Sequence, residues 1–212
     1  MKRREVGPRS KEIVARERRF QAPGSQSFAL QSGLAMARGA GSTLYDEDGN
    51  EYIDFIAGIG VGSVGHCHPH YVETLKRQVE RLTFGSFTTE TRAKFLELLA
   101  SVTPAGLTRI QMFSGGAEAV EAALRLAKAA TGKSEVVGFW GGFHGKTGGV
   151  LPLLGSEFKH HLGPFMPGRY VSPFADCYRC PLRLSYPDCG IACAEFVRDV
   201  IRYQTAGEIG AI

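Results

Sequence analysis

One segment of the chain combines the small residues and the helix start that a phosphate group needs. Residues 113–117 read Phe-Ser-Gly-Gly-Ala and lead directly into an apolar, alanine-rich stretch. A helix N-terminus binds anions through its free amides and its dipole, and small side chains let a phosphate approach the backbone. We therefore predict a phosphate site at Gly115, Gly116 and Ala117. The alternative is a strand-to-helix turn that needs glycine only for its tight geometry, and the segment matches neither a Walker nor a dinucleotide-binding motif.

A second segment, residues 140–147, supplies an aromatic ring and a histidine after the next apolar run. In an open α/β sheet, neighbouring strand ends face one crevice, so Phe143 and His144 are expected beside the phosphate site. Phe143 can stack on a planar cofactor ring. A core phenylalanine and a structural histidine are the alternatives for these two residues.

Four clustered cysteines have a spacing that resembles a zinc site, namely Cys177, Cys180, Cys189 and Cys193. The short separation between the two pairs leaves room for only a small loop, which favours free thiols. His66, His68 and His70 alternate, but beside Pro69 they are expected to enter a helix and so need not converge. We predict no metal site from either group.

The elements around these segments follow an alternating pattern. Strands are expected at residues 109–113 and 135–139, with a helix at 118–131 between them, which is typical of a parallel α/β sheet. Residues 155–190 are rich in Gly, Pro and aromatic residues and are expected to be irregular. A helix at 192–203 and a strand entered at 208–212 complete this part.

The N-terminal part has a different character. After an arm or short first helix, alternating residues on both sides of Asp48-Gly49-Asn50 predict a β-hairpin. Residues 58–66 are rich in glycine yet apolar, which indicates backbone packed closely against a neighbour. Helices are expected after Pro69 and up to Pro104.

Composition narrows the functional class. The 212 residues are 43% hydrophobic and 22% charged, as in ordinary globular proteins. The net charge of +4 comes largely from the basic first twenty residues, so nucleic acid is not an expected partner. No run approaches the roughly 18 apolar residues of a membrane span, and no secretory or transit signal is evident, so we expect a cytoplasmic protein.

Four pieces in order carry a family resemblance. They are Asp54-Phe55 with residues 58–61, then residues 65–69, 114–123 and 143–147. Together they resemble class III pyridoxal-phosphate-dependent aminotransferases of fold type I. The similarity runs from about Ser42 to the last residue and corresponds to the N-terminal half of the family. The resemblance implies an α/β fold with a small-domain segment at residues 1–68 and an incomplete three-layer α/β/α cofactor-binding domain at 69–212.

The resemblance also implies roles for individual residues. Gly116 and Ala117 would bind the cofactor phosphate through backbone amides, and Phe143 would stack on the pyridine ring with His144 beside it. Ile59 and Val61 occupy positions that line the substrate pocket in the family. Family members are homodimers, so a homodimer is the expected assembly of the full-length protein.

Two positions depart from the family pattern. Relatives acting on 4-aminobutyrate carry an arginine at the position of Lys146, and a lysine cannot form the bidentate fork on a carboxylate. This favours amines, diamines or other amino acids as donors. Ala117 replaces a serine or threonine hydroxyl and leaves phosphate binding to the backbone.

The expected reaction is transfer of an amino group from an amino acid or amine to a 2-oxo acid. The family's aspartate at the pyridine nitrogen and its cofactor-binding lysine would lie beyond residue 212, so we predict no catalytic residue in this chain and no activity from the chain alone. The alternatives are a racemase, a dialkylglycine-type decarboxylase, or a non-catalytic cofactor- or zinc-binding fragment.

Overall fold

The computed structural model describes residues 5–22 and 31–212. The chain divides into two compact units, Met1–Lys94 and Phe95–Ile212. The predicted division at residue 68, between small-domain and large-domain segments, stays a prediction. No helix in the described ranges is long and apolar enough to cross a bilayer.

The first unit is built on a three-stranded antiparallel sheet. Strands β1 (Met36–Ala40), β2 (Thr43–Asp46) and β3 (Glu51–Ile53) lie in the order β1-β2-β3. In the register of β2 and β3, Thr43 pairs with Ile53 and Tyr45 with Glu51. The predicted hairpin at Asp48-Gly49-Asn50 is therefore confirmed.

Helices precede and follow this sheet. Helix α1 (Pro8–Arg18) comes first, α2 (Pro69–Val79) follows the glycine-rich stretch, and α3 (Glu90–Val102) begins at the end of the unit. The short first helix and the two helices after Pro69 were predicted, and both predictions are confirmed.

The hairpin turn also anchors helix α1. Gly7, at the N-cap of this helix, has no side chain with which to cap it, and the carboxylate of Asp48 accepts hydrogen bonds from the amides of Arg9 and Ser10 at 2.8 and 2.9 Å. A Cβ at Gly7 would overlap the Asp48 carboxylate, so glycine is needed there for the close approach. A side chain 38 residues away thus performs the role that an N-cap residue usually performs.

Asp46 organises the turn itself. It is buried and accepts hydrogen bonds from the amides of Asp48 and Asn50, the Asn50 side chain and the Tyr52 hydroxyl. Burial by itself would raise the pKa of Asp46, but these hydrogen bonds outweigh it and leave the pKa below its ordinary value. The carboxylate is therefore ionised at neutral pH.

The second unit is built around a central parallel strand. Helix α4 (Gly116–Thr131) ends at Gly132, which takes the left-handed conformation at φ 72°, and leads to β4 (Glu135–Phe139). Strands β5 (Arg169–Ser172) and β6 (Ile209–Ala211) pair with β4 in parallel on either side, and α5 (Ala192–Gln204) connects them. The predicted parallel α/β arrangement is confirmed.

The buried core of this unit lies on β4 and the segment that follows it. Residues 135–138 of β4 are buried in succession, as expected for a strand covered on both faces. Other buried apolar side chains of this unit include those of Val150, Leu153, Leu154 and Val200.

Two predictions in the second unit were wrong. Residues 109–113 form no strand, because a strand needs a hydrogen-bonded neighbour and this segment pairs with none of β4, β5 and β6. Residues 155–190 are not wholly irregular, because they contain β5, a four-residue strand between Gly168 and Pro173. The helix expected from residue 118 begins two residues earlier, at Gly116.

Glu135 joins the ends of three elements. Its buried carboxylate accepts hydrogen bonds from the Tyr170 hydroxyl at 2.7 Å, the Ala206 amide at 3.0 Å and the Glu208 amide at 2.8 Å. The Ala206 amide, followed by the Tyr170 hydroxyl, lowers the pKa of Glu135. The same contact raises the pKa of Tyr170. The start of β4 is thereby tied to β5 and to the entrance of β6.

This contact predicts an acid-dependent stability. The pKa of folded Glu135 lies below the ordinary glutamate value of 4.5, so its contribution is complete above that value and is lost as pH falls through the folded pKa. We expect Glu135→Gln to lower the melting temperature at neutral pH and to flatten its decline towards about pH 3. Thermal unfolding across this pH range, with the exposed Glu157→Gln as control, measures both effects. Equal acid sensitivity in Glu135→Gln and wild type would contradict the assignment.

Candidate functional site

The predicted phosphate segment forms an open helix start. Gly115 is extended at φ −153° and ψ 163°, helix α4 begins at Gly116, and no side chain caps it. Gly115 and Gly116 are exposed, and a Cβ at either position would meet only open space. Ala117 is half-buried. The first turn of α4 therefore presents its backbone to an incoming group.

The loop after β4 is held to neighbouring backbone at its start. Trp140 continues the ladder by donating its amide to the Ser172 carbonyl at 2.9 Å. Gly141 donates to the Gly155 carbonyl at 2.9 Å, and Gly155 donates back to Gly142 at 3.1 Å. These bonds fix the direction in which the chain leaves the sheet.

The same loop then packs against the first turn of α4. Gly145 has φ 112°, and a Cβ there would overlap the Ala117 side chain, so glycine is required by conformation and by space. Glu121, one turn further along α4, accepts hydrogen bonds from the Thr147 hydroxyl at 2.6 Å and the Gly149 amide at 2.9 Å. The loop that carries Phe143 and His144 is thus brought to the start of α4.

Phe143 and His144 have different surroundings. Phe143 is 65% exposed and is not a core residue, so the core alternative is disfavoured and its ring is available for stacking. His144 is half-buried and lines a cleft of about 570 Å³. The other side chains of this cleft include Phe139, Trp140, Phe174, Asp176 and Arg179.

Lys146 lies on the outer side of this loop. It is exposed, and its ammonium group is 4.5 Å from the centroid of the Phe158 ring, within range of a cation–π contact. A single positive charge is therefore held next to the segment that carries Phe143.

The predicted substrate residues Ile59 and Val61 belong to the first unit, whereas the cofactor residues belong to the second. Residues Ala57–Gly60 form a left-handed turn, with φ of 46°, 63°, 64° and 87° in order. A β-branched residue such as Ile59 rarely adopts this conformation, and strain of this kind occurs often at functional sites. Ile59 and Val61 are 63% and 81% exposed.

A carboxylate–histidine pair holds this strained turn. One Asp54 carboxylate oxygen accepts hydrogen bonds from the amides of Ile56 and Ala57, both at 2.9 Å, and the other lies 2.6 Å from His66 Nε2. The His66 side chain, followed by the Ala57 amide, lowers the pKa of Asp54. His66 is itself fixed by two backbone hydrogen bonds with Gly41, at 2.8 and 2.9 Å.

Sequence reasoning missed the positioning roles of Asp54, His66, Gly145 and Glu121. Asp54 and His66 lie in motifs that carried the family resemblance. Those motifs indicate that the two residues have a role, but they do not indicate which residues the two side chains contact. Glu121 and Gly145 also lie in such motifs, but the partners of Glu121 are 26 and 28 residues away and leave no local pattern.

The sequence of this chain matches one known protein family over most of its length. The family described as "Aminotransferase class-III" matches residues 26–212. The chain belongs to the class III aminotransferases. The recognition made from the sequence is confirmed, and the cofactor of this family is pyridoxal phosphate.

Curated relatives of this class III chain have several amino donors in their names. An acetylornithine aminotransferase of Methanopyrus kandleri is 40% identical over 146 residues, which are 68% of this chain and 38% of the relative. A diaminobutyrate–2-oxoglutarate aminotransferase of Rhizobium meliloti is 34% identical over 191 residues, which are 86% of this chain and 41% of the relative. The chain therefore spans about two fifths of the length of these relatives.

Solved structures confirm the predicted fold type. An (S)-enantioselective ω-transaminase from Thermomicrobium roseum has a TM-score of 0.81 at 23% identity, over 94% of this chain and 48% of that one. A taurine:2-oxoglutarate aminotransferase from Bifidobacterium kashiwanohense, in complex with PLP and glutamate, has a TM-score of 0.78 at 20% identity, over 99% of this chain and 48% of that one. The class III chain has the fold of about half of a fold type I transaminase.

The contact of Gly145 with α4 gives a test of the site. We expect Gly145→Ala to push the loop away from Ala117, lowering the melting temperature and weakening pyridoxal phosphate binding. Gly148→Ala is the matched control, because a Cβ there meets open space in the same loop. Thermal unfolding and spectroscopic titration with the cofactor measure both effects, and indistinguishable results for the two variants would refute the contact.

The Asp54–His66 pair gives a second test, in the first unit. Asp54→Asn keeps an oxygen for the amides of Ile56 and Ala57 but removes the negative charge that pairs with His66. We expect faster amide hydrogen exchange in residues 56–62, because a strained turn persists only when its surroundings hold it. The exposed Glu51→Gln in β3 serves as control. Unchanged exchange in Asp54→Asn would show that the pair does not hold the turn.

Proposed function

We propose that this chain supplies the phosphate site and the ring-stacking residue of an enzyme that transfers an amino group from an amino acid or amine to a 2-oxo acid. The observation that carries the proposal is the packing of Gly145 on Ala117. It brings the loop with Phe143 and His144 to the uncapped start of α4. Family membership supplies the cofactor and the reaction class.

The residues present fit the cofactor. A phosphate dianion suits the start of a 16-residue helix, where the amides and the helix dipole favour negative charge. Gly115 and Gly116 expose their backbone, and no Cβ at either position obstructs the approach. The hydroxyl that Ala117 lacks is not needed for amide-based binding.

Pyridoxal phosphate, when bound, supplies an electron sink for the bonds at the amino-bearing carbon. Phe143 would fix the tilt of the ring by stacking and would exclude water from one face. His144, half-buried in its cleft, would border the ring. The Gly141–Gly155 backbone hydrogen bond keeps the base of the loop in place.

The positive charge of Lys146 bears on which amino donor the enzyme would prefer. A single ammonium group attracts a carboxylate without the bidentate geometry of arginine, which disfavours 4-aminobutyrate as the preferred substrate. Two relatives are named for acetylornithine and diaminobutyrate, and these compounds are a derivative of a diamino acid and a diamino acid, respectively. We propose a donor of this kind, with a 2-oxo acid as acceptor.

Ile59 and Val61 are the residues that we propose to contact the substrate. Both side chains are exposed and apolar, with Ile59 on the turn held by Asp54 and Val61 directly after it, which suits contact with the aliphatic part of a donor. A homodimer remains a prediction from the family resemblance, and a cytoplasmic location remains a prediction from the sequence.

The lysines of the second unit do not match the family's cofactor-binding lysine. Lys128 lies in the last turn of α4, and the Lys159 ammonium group donates to the Pro152 carbonyl at 3.2 Å. We therefore expect the 212-residue chain to bind the cofactor without a covalent bond and to show no transaminase turnover.

The stacking role of Phe143 is tested by cofactor affinity. We expect Phe143→Ala to raise the Kd for pyridoxal phosphate about tenfold, since a ring contact of about 1–1.5 kcal/mol corresponds to about one order of magnitude. Tyr203→Ala removes a similarly exposed aromatic side chain on α5 and should leave the Kd unchanged. Fluorescence titration measures the Kd, and mass spectrometry after borohydride reduction shows whether a covalent bond forms. Equal Kd values for the two variants would contradict the stacking role.

A further inference from the structure

The segment between β5 and α5 buries too few of its own side chains to hold a fixed conformation by itself. Residues 173–191 contain no helix or strand, and long connections of this kind are uncommon in compact domains unless they are functional. Several of their large apolar side chains are exposed, including Tyr178 at 89% and Tyr186 at 69%. Another interaction is needed to hold this segment.

All four cysteines of this region line one small cavity. Cys177, Cys180, Cys189 and Cys193 surround a space of about 20 Å³, and none is in a disulfide. A space of this size accommodates a single ion or water molecule. The sequence argument against zinc was the short link between the two pairs, residues 181–188. The structure removes that objection, because the link is long enough for both pairs to reach the same cavity.

Each pair is held in a turn by a hydrogen bond from a backbone amide. The Asp176 carboxylate accepts a hydrogen bond from the Arg179 amide at 3.1 Å, which closes the turn that carries Cys177 and Cys180. The Cys189 carbonyl accepts from the Ala192 amide at 3.0 Å and so leads into α5. Cys193 lies in the first turn of that helix, where negative charge is favoured.

We propose that these four cysteines form a tetrathiolate site for Zn²⁺. As placed, no three Cys, His, Asp or Glu side chains in the described ranges lie close enough to share a metal. Binding therefore requires the four thiols to move closer together around the cavity that they already line, to Zn–S distances of about 2.3 Å. Thiolate sulfur selects zinc over magnesium or calcium.

Charge and proton balance are consistent with this site. Each thiol gives up its proton to solvent as its sulfur binds the metal, so four protons are released for one Zn²⁺ and the site carries a net charge of −2. Arg179 lies within the first cysteine turn, and the Arg183 amide donates to the Cys180 carbonyl at 3.0 Å. These two cations lie close in sequence to the thiolates and offset part of the charge.

The site has a consequence for the cleft that His144 lines. Phe174, Asp176, Arg179 and Pro181 belong to the cysteine-rich segment and also line that cleft. A metal at the cysteines would therefore fix one wall of the cleft. The proposal does not depend on the aminotransferase activity, because metal content is measured without a substrate.

The test is metal content with matched variants. The full chain is expressed with added zinc, purified without chelator or metal-affinity resin, and analysed by elemental mass spectrometry. We expect one zinc per chain, most of it lost in Cys180→Ser and in Cys189→Ser. It should be kept in Cys67→Ser, whose exposed cysteine belongs to the other unit.

A second measurement keeps the proposal testable if the serine variants do not fold. Wild-type protein loaded with Co²⁺ in place of zinc should show intense thiolate-to-metal charge-transfer bands and tetrahedral d–d bands. Blocking the thiols should release the metal. Wild-type protein without stoichiometric zinc, with iron in its place, with disulfides among these cysteines, or with a Co²⁺ spectrum that lacks thiolate bands would overturn the site.

Discussion

The parallel pairing of strand β4 determines where the candidate cofactor residues lie. Parallel neighbours end at the same edge of a sheet, so the loops after β4 and β5 leave side by side, with Phe139 opposite Ser172 in the register. The first loop carries Phe143 and His144, and the second contributes Phe174, Asp176 and Arg179 to the cleft that His144 lines. A slip of this register by one residue would turn every side chain of β4 to the opposite face of the sheet and shift the loop relative to helix α4.

Carboxylates stabilise the irregular backbone in both units. Asp54 holds the left-handed turn, Glu121 holds the chain at Thr147 and Gly149, and Glu135 holds the entrance of β6. In each case a carboxylate group accepts hydrogen bonds from amides or hydroxyls that no helix or strand satisfies. Glycine-rich segments can therefore keep a defined conformation and still leave their backbone close to a ligand.

Local signals in the sequence were sufficient for part of this structure. The Asp48-Gly49 turn and the stop of α4 at Gly132 were predicted because one or two residues determine them. Residues 109–113 and 135–139 have similar apolar patterns, but only the second forms a strand, because pairing depends on distant partners. The contact of Glu135 with Ala206 spans 71 residues and leaves no local pattern. Family motifs identified Gly116, Phe143 and Ile59, whereas the residues that position them became visible only in the fold.

We propose that the start of α4 and the loop packed on it bind pyridoxal phosphate together. A crystal structure of the protein grown with this cofactor would show where the phosphate and the ring lie. We predict electron density for the phosphate at the amides of Gly116 and Ala117, with the pyridine ring against Phe143. Phosphate density at another site, or a ring that makes no contact with Phe143, would contradict the account.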